Sequence, residues 1–423
     1  MNFSQRDKKY NWHPYTQHKT AADFPAITKG KDALLWDENG KEYVDAIASW
    51  WVNPFGHSNT VIAEAIYKQL TTLEHVLFGG FTHDKAVELS EKLIAILPSN
   101  QQKIFYSDNG STAVEVALKG ALQFFYNKGN KRTKIIAFED AFHGDTFGAM
   151  AASGISFYTQ AFQGSLLEVV RVPIPTPGNE ENAVQILKEY LETNEFAAFI
   201  FEPLVLGAAG MVMYQPDVLD KMIALCKQNN VFTIADEVMT GFGKTGKTFA
   251  TDYLQNKPDM MCLSKALTGG TIPMAITTFT QEIFDGFYDD DVNKALFHGH
   301  TFTANPTGCA AALASIDLLQ TNEMQDNIQR VNQSHLAFQS KIKNHPKVKT
   351  TRVLGVIFAL EVKTENAETY YGTMRTKLYN FFIENGVILR PVGNIIYILP
   401  PYIITENQLQ KVYQTIENAL QIV

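Results

Sequence analysis

Three short stretches of this 423-residue chain hold side chains that can do chemistry together. An apolar run, residues 103–107 (KIFYS), leads into Asp108-Asn109-Gly110-Ser111 and then directly into a helical pattern. Glycine lets an anion approach the backbone, and the free N–H groups of a helix's first turn bind it with help from the helix dipole. Taken alone, Ser111 could equally be a plain N-cap. Asp236 closes a second, β-branched run, where a carboxylate is desolvated unless it faces a cation. Lys265 follows a third run, inside the segment CLSKALTGG that starts at Cys262. Most lysines sit on the surface, but a partly buried one has a lowered pKa and can form an imine with an aldehyde. An acid, an amine and an anion cradle have one economical joint reading. They hold pyridoxal 5′-phosphate, with Lys265 on the aldehyde, Asp236 on the pyridinium nitrogen, and Gly110 and Ser111 on the phosphate.

A rival motif lies close by. Residues 241–248, GFGKTGKT, match both GxGxxG and the phosphate-loop pattern GxxxxGK[ST], which taken alone suggest an ATPase or GTPase. A phosphate loop should leave its strand directly, yet residues 237–240 intervene after Asp236. The Asp236-Glu237 pair would also have to serve as the metal-holding end of a second nucleotide-binding strand. One strand cannot supply both, so a glycine-rich active-site loop is the better expectation.

The elements that must position these residues are legible in outline. Residues 103–107, 133–138 (TKIIAF), 196–202 (FAAFIFE) and 231–236 (VFTIAD) read as buried strands, with 260–263 and 274–279 as two more. Amphipathic stretches at 111–126, 181–191 and 216–228 alternate with them. That alternation predicts an α/β fold with a mostly parallel sheet covered on both faces. Residues 1–60 carry many aromatics and a hairpin signal at Glu38-Asn39-Gly40. After Asn305 comes a long helical pattern that breaks near His345-Pro346. Residues 350–423 then read strand, helix, strand, helix, the last opened by a capping-box spacing from Thr405 to Gln408. The expected organisation is a large domain over 61–318 and a smaller, discontinuous α/β domain from 1–60 and 319–423.

Composition narrows the class. Hydrophobic residues make up 45% and charged residues 19%, enough for a large core and against disorder. With 36 Lys plus Arg against 44 Asp plus Glu, the net charge of −8 opposes a general nucleic-acid binder. No run approaches 18 apolar residues and the polar start has no secretory h-region, so neither a membrane span nor a signal peptide is expected. Cys226, Cys262 and Cys309 form no CxxC pair and suit a reducing, cytoplasmic setting. His298 and His300 stand two apart, but no third ligand comes at a ligand spacing, so no metal is expected.

The run IADEVMTGFGKTG, with Lys265 twenty-nine residues after Asp236, resembles the fold-type I, class-III aminotransferases that depend on pyridoxal phosphate. Segments 12–16 (WHPYT), 49–51 (SWW), 78–83 (FGGFTH), 142–146 (FHGDT), 298–305 (HGHTFTAN), 389–391 (LRP) and 397–402 (YILPPY) are similar to the branch of that family in biotin synthesis. The resemblance implies transamination of 8-amino-7-oxononanoate, with S-adenosylmethionine as expected donor and lysine or another amine as alternatives. It implies Lys265 as the cofactor-bonding amine, Asp236 on the ring nitrogen, and Gly110, Ser111 and Thr301 on the phosphate, with Thr301 supplied by the partner of a homodimer. Tyr15, Trp50 and Trp51 would form an aromatic substrate pocket, Arg390 would bind the substrate carboxylate, and Tyr397 and the Gly299 backbone would lie beside the substrate. Three positions depart from the family pattern. Phe142 replaces a tyrosine against the cofactor ring, Lys244 an arginine in the glycine-rich loop, and His300, among the cofactor-binding positions, a proline; the three cluster near where the amino donor would sit. A class-III ω-aminotransferase with another amine or keto substrate is the nearest alternative.

Overall fold

The computed structural model describes residues 3–154, 156–364 and 372–423. A small antiparallel sheet forms first, from β1 (Ile27–Lys31), β2 (Leu34–Asp37) and β3 (Glu42–Asp45). Gly40, at φ +80°, turns β2 into β3, so the expected hairpin is present.

The central sheet takes β4 (Gln101–Ser107), β5 (Lys134–Phe138), β6 (Val169–Val172) and β7 (Phe196–Phe201). After a short pair, β8 (Val205–Leu206) and β9 (Val212–Met213), it adds β10 (Phe232–Asp236), β11 (Met260–Leu263) and β12 (Ala275–Thr280). The order is β4-β12-β11-β10-β7-β5-β6, and of these seven β12 alone runs against its neighbours. The six strands suggested by sequence all form. The seventh, β6, carries Arg171 within a half-buried VVRV edge and so lacks the apolar run that reveals the others.

Strand residues alternate between two cores, as a period of two requires. Ile136, Phe138, Phe199, Phe201, Ala235 and Met261 face one, with Leu219, Met222 and Ile223 from helix Pro216–Gln228. Ile135, Ala137, Ala198, Ile200, Ile234 and Cys262 face the other, under Ala113, Val116 and Ala117 of helix Gly110–Asn127. Buried on both faces, β7 is apolar at every position, which is why its sequence shows no alternation.

The rest of the chain differs in detail from the sequence expectation. The helical pattern after Asn305 is two helices, Pro306–Leu319 and Asn322–Ile342, the second capped by the Thr321 side chain. In place of the one strand expected there is a hairpin, β13 (Val348–Leu354) and β14 (Ile357–Val362), turned by Gly355 at φ +57°. After helix Thr373–Glu384, β15 (Val387–Ile388) leaves its neighbours and pairs in parallel with β3, setting Ile388 opposite Asp45. The chain closes with β16 (Ile395–Ile398) beside β14 and helix Glu406–Ile422, opened by the Thr405–Gln408 capping box. Among the described residues no helix is long and apolar enough to cross a membrane.

Candidate active site

Every strand of the central sheet except β12 points its C-terminal end to one edge, the edge where open α/β sheets bind ligands. Asp236 ends β10, Lys265 follows β11, Glu202 follows β7, Phe142 and His143 lie beyond β5, and Asp108 to Ser111 follow β4. Together they line a cavity of about 520 Å³, with Trp51, Met239 and Thr268 also in its wall.

At one side sits the N-terminus of helix Gly110–Asn127. Its N-cap is Asn109, whose side chain accepts from the Thr112 N–H at 3.0 Å while Thr112 Oγ1 accepts from the Asn109 N–H. Ser111 is therefore not the cap. Its hydroxyl instead accepts from the Asp145 N–H at 3.2 Å, and Gly110 and Ser111, the first two residues of the helix, line the cavity. Close approach is built in. A Cβ on Gly110 would stand 2.7 Å from Val238 Cγ1, and one on Gly144 would stand 2.1 Å from Ser111 Oγ.

Asp236 is 5% exposed, and its Oδ2 lies 2.7 Å from His143 Nδ1 while Oδ1 accepts from the Val238 N–H at 3.1 Å. The other imidazole nitrogen, Nε2, is buried without a protein partner, as is Trp51 Nε1. Glu202 accepts from the Phe142 N–H at 3.0 Å and the Gly207 N–H at 2.9 Å. Burial raises its pKa to about 7, against the pull of His143 and with the repulsion of Asp236 added. Lys265 occupies a left-handed backbone position, φ 48°, with Nζ 4.5 Å from the Trp51 ring centre. Burial lowers its pKa to about 8, while the charges of Asp236 and Glu202 resist the fall. An anion cradle, an acid and a weakly basic amine on one cavity wall fit pyridoxal 5′-phosphate.

A second group adjoins the first. The Arg390 guanidinium stacks 4.3 Å from the Trp50 ring, Tyr15 meets Trp50 edge-on at 5.9 Å, and Tyr397 meets Trp51 edge-on at 6.0 Å. The Tyr15 hydroxyl donates to Asp145 Oδ2, and Phe142 and Tyr15 each pack edge-on to Tyr158. Gly110, Ser111, Phe142, Asp236 and Lys265 are thus gathered in one wall, joined through Trp51 to the aromatic group.

Lys244 is placed differently from expectation. It is 1% exposed, does not line the cavity, and gives its ammonium to the Gly241 carbonyl at 3.2 Å. Burial and then the nearby Lys265 charge lower its pKa to about 7, opposed by Glu237. Gly299 and Thr301 are exposed and outside this cavity. His300 does not line the cavity either but contacts Asp108, which does, with Nδ1 3.1 Å from Asp108 Oδ2 and Nε2 3.0 Å from His298 Nε2. His143, Glu202 and Asp145 are the residues that sequence reasoning missed. Glu202 carries the same signal as Asp236, an acid ending an apolar strand.

The phosphate-loop reading fails on geometry. Segment 241–248 folds into turns, and the next element is a short 3-10 turn, Ala250–Tyr253, not a phosphate-binding α-helix. Lys247 Nζ donates to the Asp252 carbonyl at 3.2 Å, and Glu237 is fully engaged by Thr240, Ala250 and Thr251.

Residues 15–420 match the family model described as aminotransferase class-III. The adenosylmethionine-8-amino-7-oxononanoate aminotransferase of Synechococcus elongatus is 42% identical over 417 residues, spanning 97% of this chain and 98% of its own. A crystal structure of the enzyme of that name from Methanocaldococcus jannaschii superposes with a TM-score of 0.94 at 33% identity, covering 99% of this chain and 98% of the other. An omega transaminase from Pseudomonas jessenii, solved in complex with PMP, matches with the same TM-score at 26% identity over 100% and 98% of the two chains.

Proposed function

The chain belongs to the class-III aminotransferase family, and from that premise we propose that it transfers an amino group to 8-amino-7-oxononanoate, giving 7,8-diaminononanoate for biotin synthesis. It is a pyridoxal-phosphate-dependent transaminase. The observation that carries the substrate reading is the contact of Arg390 with Trp50 beside the Trp51–Lys265 pair. An amino-oxo acid with a long methylene chain needs an amine at one end of its site, aromatic walls along it, and a forked cation for its carboxylate at the other.

Bound pyridoxal phosphate supplies an aldehyde for the amine and a protonated ring that draws electrons from the neighbouring carbon. Lys265 would hold that aldehyde and, once displaced, carry a proton from the donor's α-carbon on its Nζ. Burial lowers the basicity of that amine in the cofactor-free chain, which favours its neutral, proton-accepting form. Asp236, oriented by His143, would hold the proton on the ring nitrogen. Gly110 and Ser111 would take the phosphate, Phe142 would cover the ring without the hydroxyl of a tyrosine, and Tyr15, Trp50, Trp51 and Tyr397 would line the acyl chain.

S-adenosylmethionine is the proposed donor, in keeping with the names of the similar enzymes. The exposure of Gly299 and Thr301 supports a homodimer in which they complete the partner's site. The pairing of β3 with β15 supports a small unit drawn from 1–60 and 319–423 beside a large one over 61–318. Three free, buried cysteines are in keeping with the cytoplasm.

The test is a half-reaction screen. Purified protein should show a visible cofactor band, lost in Lys265→Ala. S-adenosylmethionine should bleach it and 8-amino-7-oxononanoate should restore it. A colourless protein, or a band that only other amines and oxo acids move, rejects the reading.

A further inference from the structure

The turn that presents Trp50 and Trp51 is held in a backbone form that its residues disfavour. Ala48 (φ 47°), Ser49 (φ 62°, ψ −80°) and Trp51 (φ 67°) all lie at positive φ, and none is glycine. Such conformations persist only where the surroundings impose them. Here the imposing group is Asp45, whose side chain has no exposure. Its Oδ1 accepts from the Ile47 N–H at 3.1 Å; its Oδ2 accepts from the Ser49 N–H at 2.7 Å and meets His57 Nε2 at 2.9 Å. His57 is fixed in turn, since its Nδ1 faces the Asn53 amide at 3.2 Å and that same amide donates to Ser49 Oγ at 3.1 Å. An amide nitrogen only donates, so Nδ1 accepts and the imidazole proton sits on Nε2, aimed at Asp45.

The same residue reaches the other side of the substrate group. Asp45 stands in register with Ile388, two residues before Arg390, and the Ala46 N–H donates to the Ile388 carbonyl at 3.2 Å. One carboxylate therefore fixes the turn carrying Trp50 and lies in the strand that aligns Arg390 with it. Trp51 is the less dependent of the pair, because its ring is 7% exposed and packed in the main core, whereas Trp50 is 37% exposed.

We propose that Asp45, backed by His57, is the positioning residue for the acceptor substrate: it holds the strained 48–51 turn so that Trp50 and Arg390 meet as one recognition surface. This rests on the proposed acceptor, an oxo acid with a distal carboxylate. It predicts that the cost of losing Asp45 is conformational. Glycine at position 49, which tolerates the mirror-image backbone, should recover part of what Asp45→Asn loses.

The experiment compares wild-type holoenzyme with Asp45→Asn and Asp45→Asn/Ser49→Gly. Near-ultraviolet circular dichroism of the tryptophans, with no substrate present, reads the turn itself. Steady-state kinetics with 8-amino-7-oxononanoate, and the single-turnover rate with whichever donor bleaches wild-type enzyme, read its consequence. Expected are an altered tryptophan spectrum in Asp45→Asn, a KM for the oxo acid raised about tenfold, a donor half-reaction within about threefold, and recovery of spectrum and KM in the double variant. An unchanged spectrum and KM in Asp45→Asn, or no recovery with glycine, overturns the proposal. If Asp45→Asn does not fold, His57→Ala takes its place, with a KM rise of about threefold expected and no change counting against it. If wild-type enzyme ignores the oxo acid, the substrate reading fails, while the spectral change and its rescue by glycine still decide the role of Asp45.

Discussion

Lys265 should be an unusually reactive amine in the cofactor-free protein, and the structure sets by how much. An ordinary lysine, with a pKa of 10.5, is uncharged in roughly one molecule in 3,000 at pH 7. Burial brings Lys265 to about 8, so about a tenth of it is uncharged, a gain of roughly 300-fold in the reactive form. The assay is competitive labelling of apoenzyme by a trace of small acylating reagent across pH 6 to 11, with peptides quantified by mass spectrometry. A free model lysine amine added to the same mixture serves as reference. The Lys265 curve should reach half its plateau near pH 8, well below the 10.5 of an unperturbed lysine amine. Substituting Glu202 by glutamine should move it lower still, because the Glu202 charge is one of those that support the ammonium. A Lys265 curve that tracks the model amine, or one that Glu202→Gln moves upward, would refute the account of burial opposed by two carboxylates.

Arg390→Ala should raise KM for the oxo acid by about 10- to 150-fold, the equivalent of a charged hydrogen-bonded contact of about 1.5–3 kcal/mol, and leave the donor half-reaction rate unchanged in stopped flow. Gly144→Ala should weaken pyridoxal phosphate at least tenfold in equilibrium dialysis, since the new methyl would displace Ser111 from the cradle. His335 is buried between the Tyr413 hydroxyl at 2.7 Å and the Val356 carbonyl at 3.1 Å, and burial lowers its pKa from 6.5 to about 4. Between those values the unfolded chain takes up a proton that the folded chain refuses, so stability falls as pH falls. The loss should reach about 3 kcal/mol near pH 4 in urea titrations, and His335→Gln, which keeps a donor and an acceptor, should remove that part of the slope. Lys247→Ala should leave both half-reactions unchanged, because its ammonium is turned to the Asp252 carbonyl and the Tyr253 ring, away from the cavity lining.

The sequence makes legible whatever a strand announces at its own end. Asp236, Lys265 and the Gly110-Ser111 turn each follow an apolar run within a few residues, so chain order alone sets their chemistry side by side. Glu202 is equally visible in that sense, but reads only as the last residue of its strand. His143 is not visible, because the carboxylate that gives it meaning lies 93 residues away. Lys244 shows the same limit from the other side. Its motif suggests a loop lysine facing a ligand, but the Val356 N–H bonds its carbonyl at 2.9 Å and the surrounding chain seals its ammonium from water. Capping is ambiguous by two positions in the sequence, since Asn109 and Ser111 are both good caps and only the Thr112 contact decides between them.

The glycines of the GFGKTGKT segment turn out to serve joinery and not phosphate. A Cβ on Gly355 would stand 2.3 Å from the Gly246 nitrogen and 2.5 Å from the Lys244 carbonyl oxygen. Two main chains from distant parts of the sequence thus lie flush, with no side chain between them to flex. The β13–β14 corner and the loop after Asp236 and Glu237 are thereby joined main chain to main chain, with the Val356 N–H donating to the Lys244 carbonyl. A side chain at 355 would act as a wedge in this seam, driven against Gly246 and so against the loop that leads back to the acid proposed to hold the ring nitrogen.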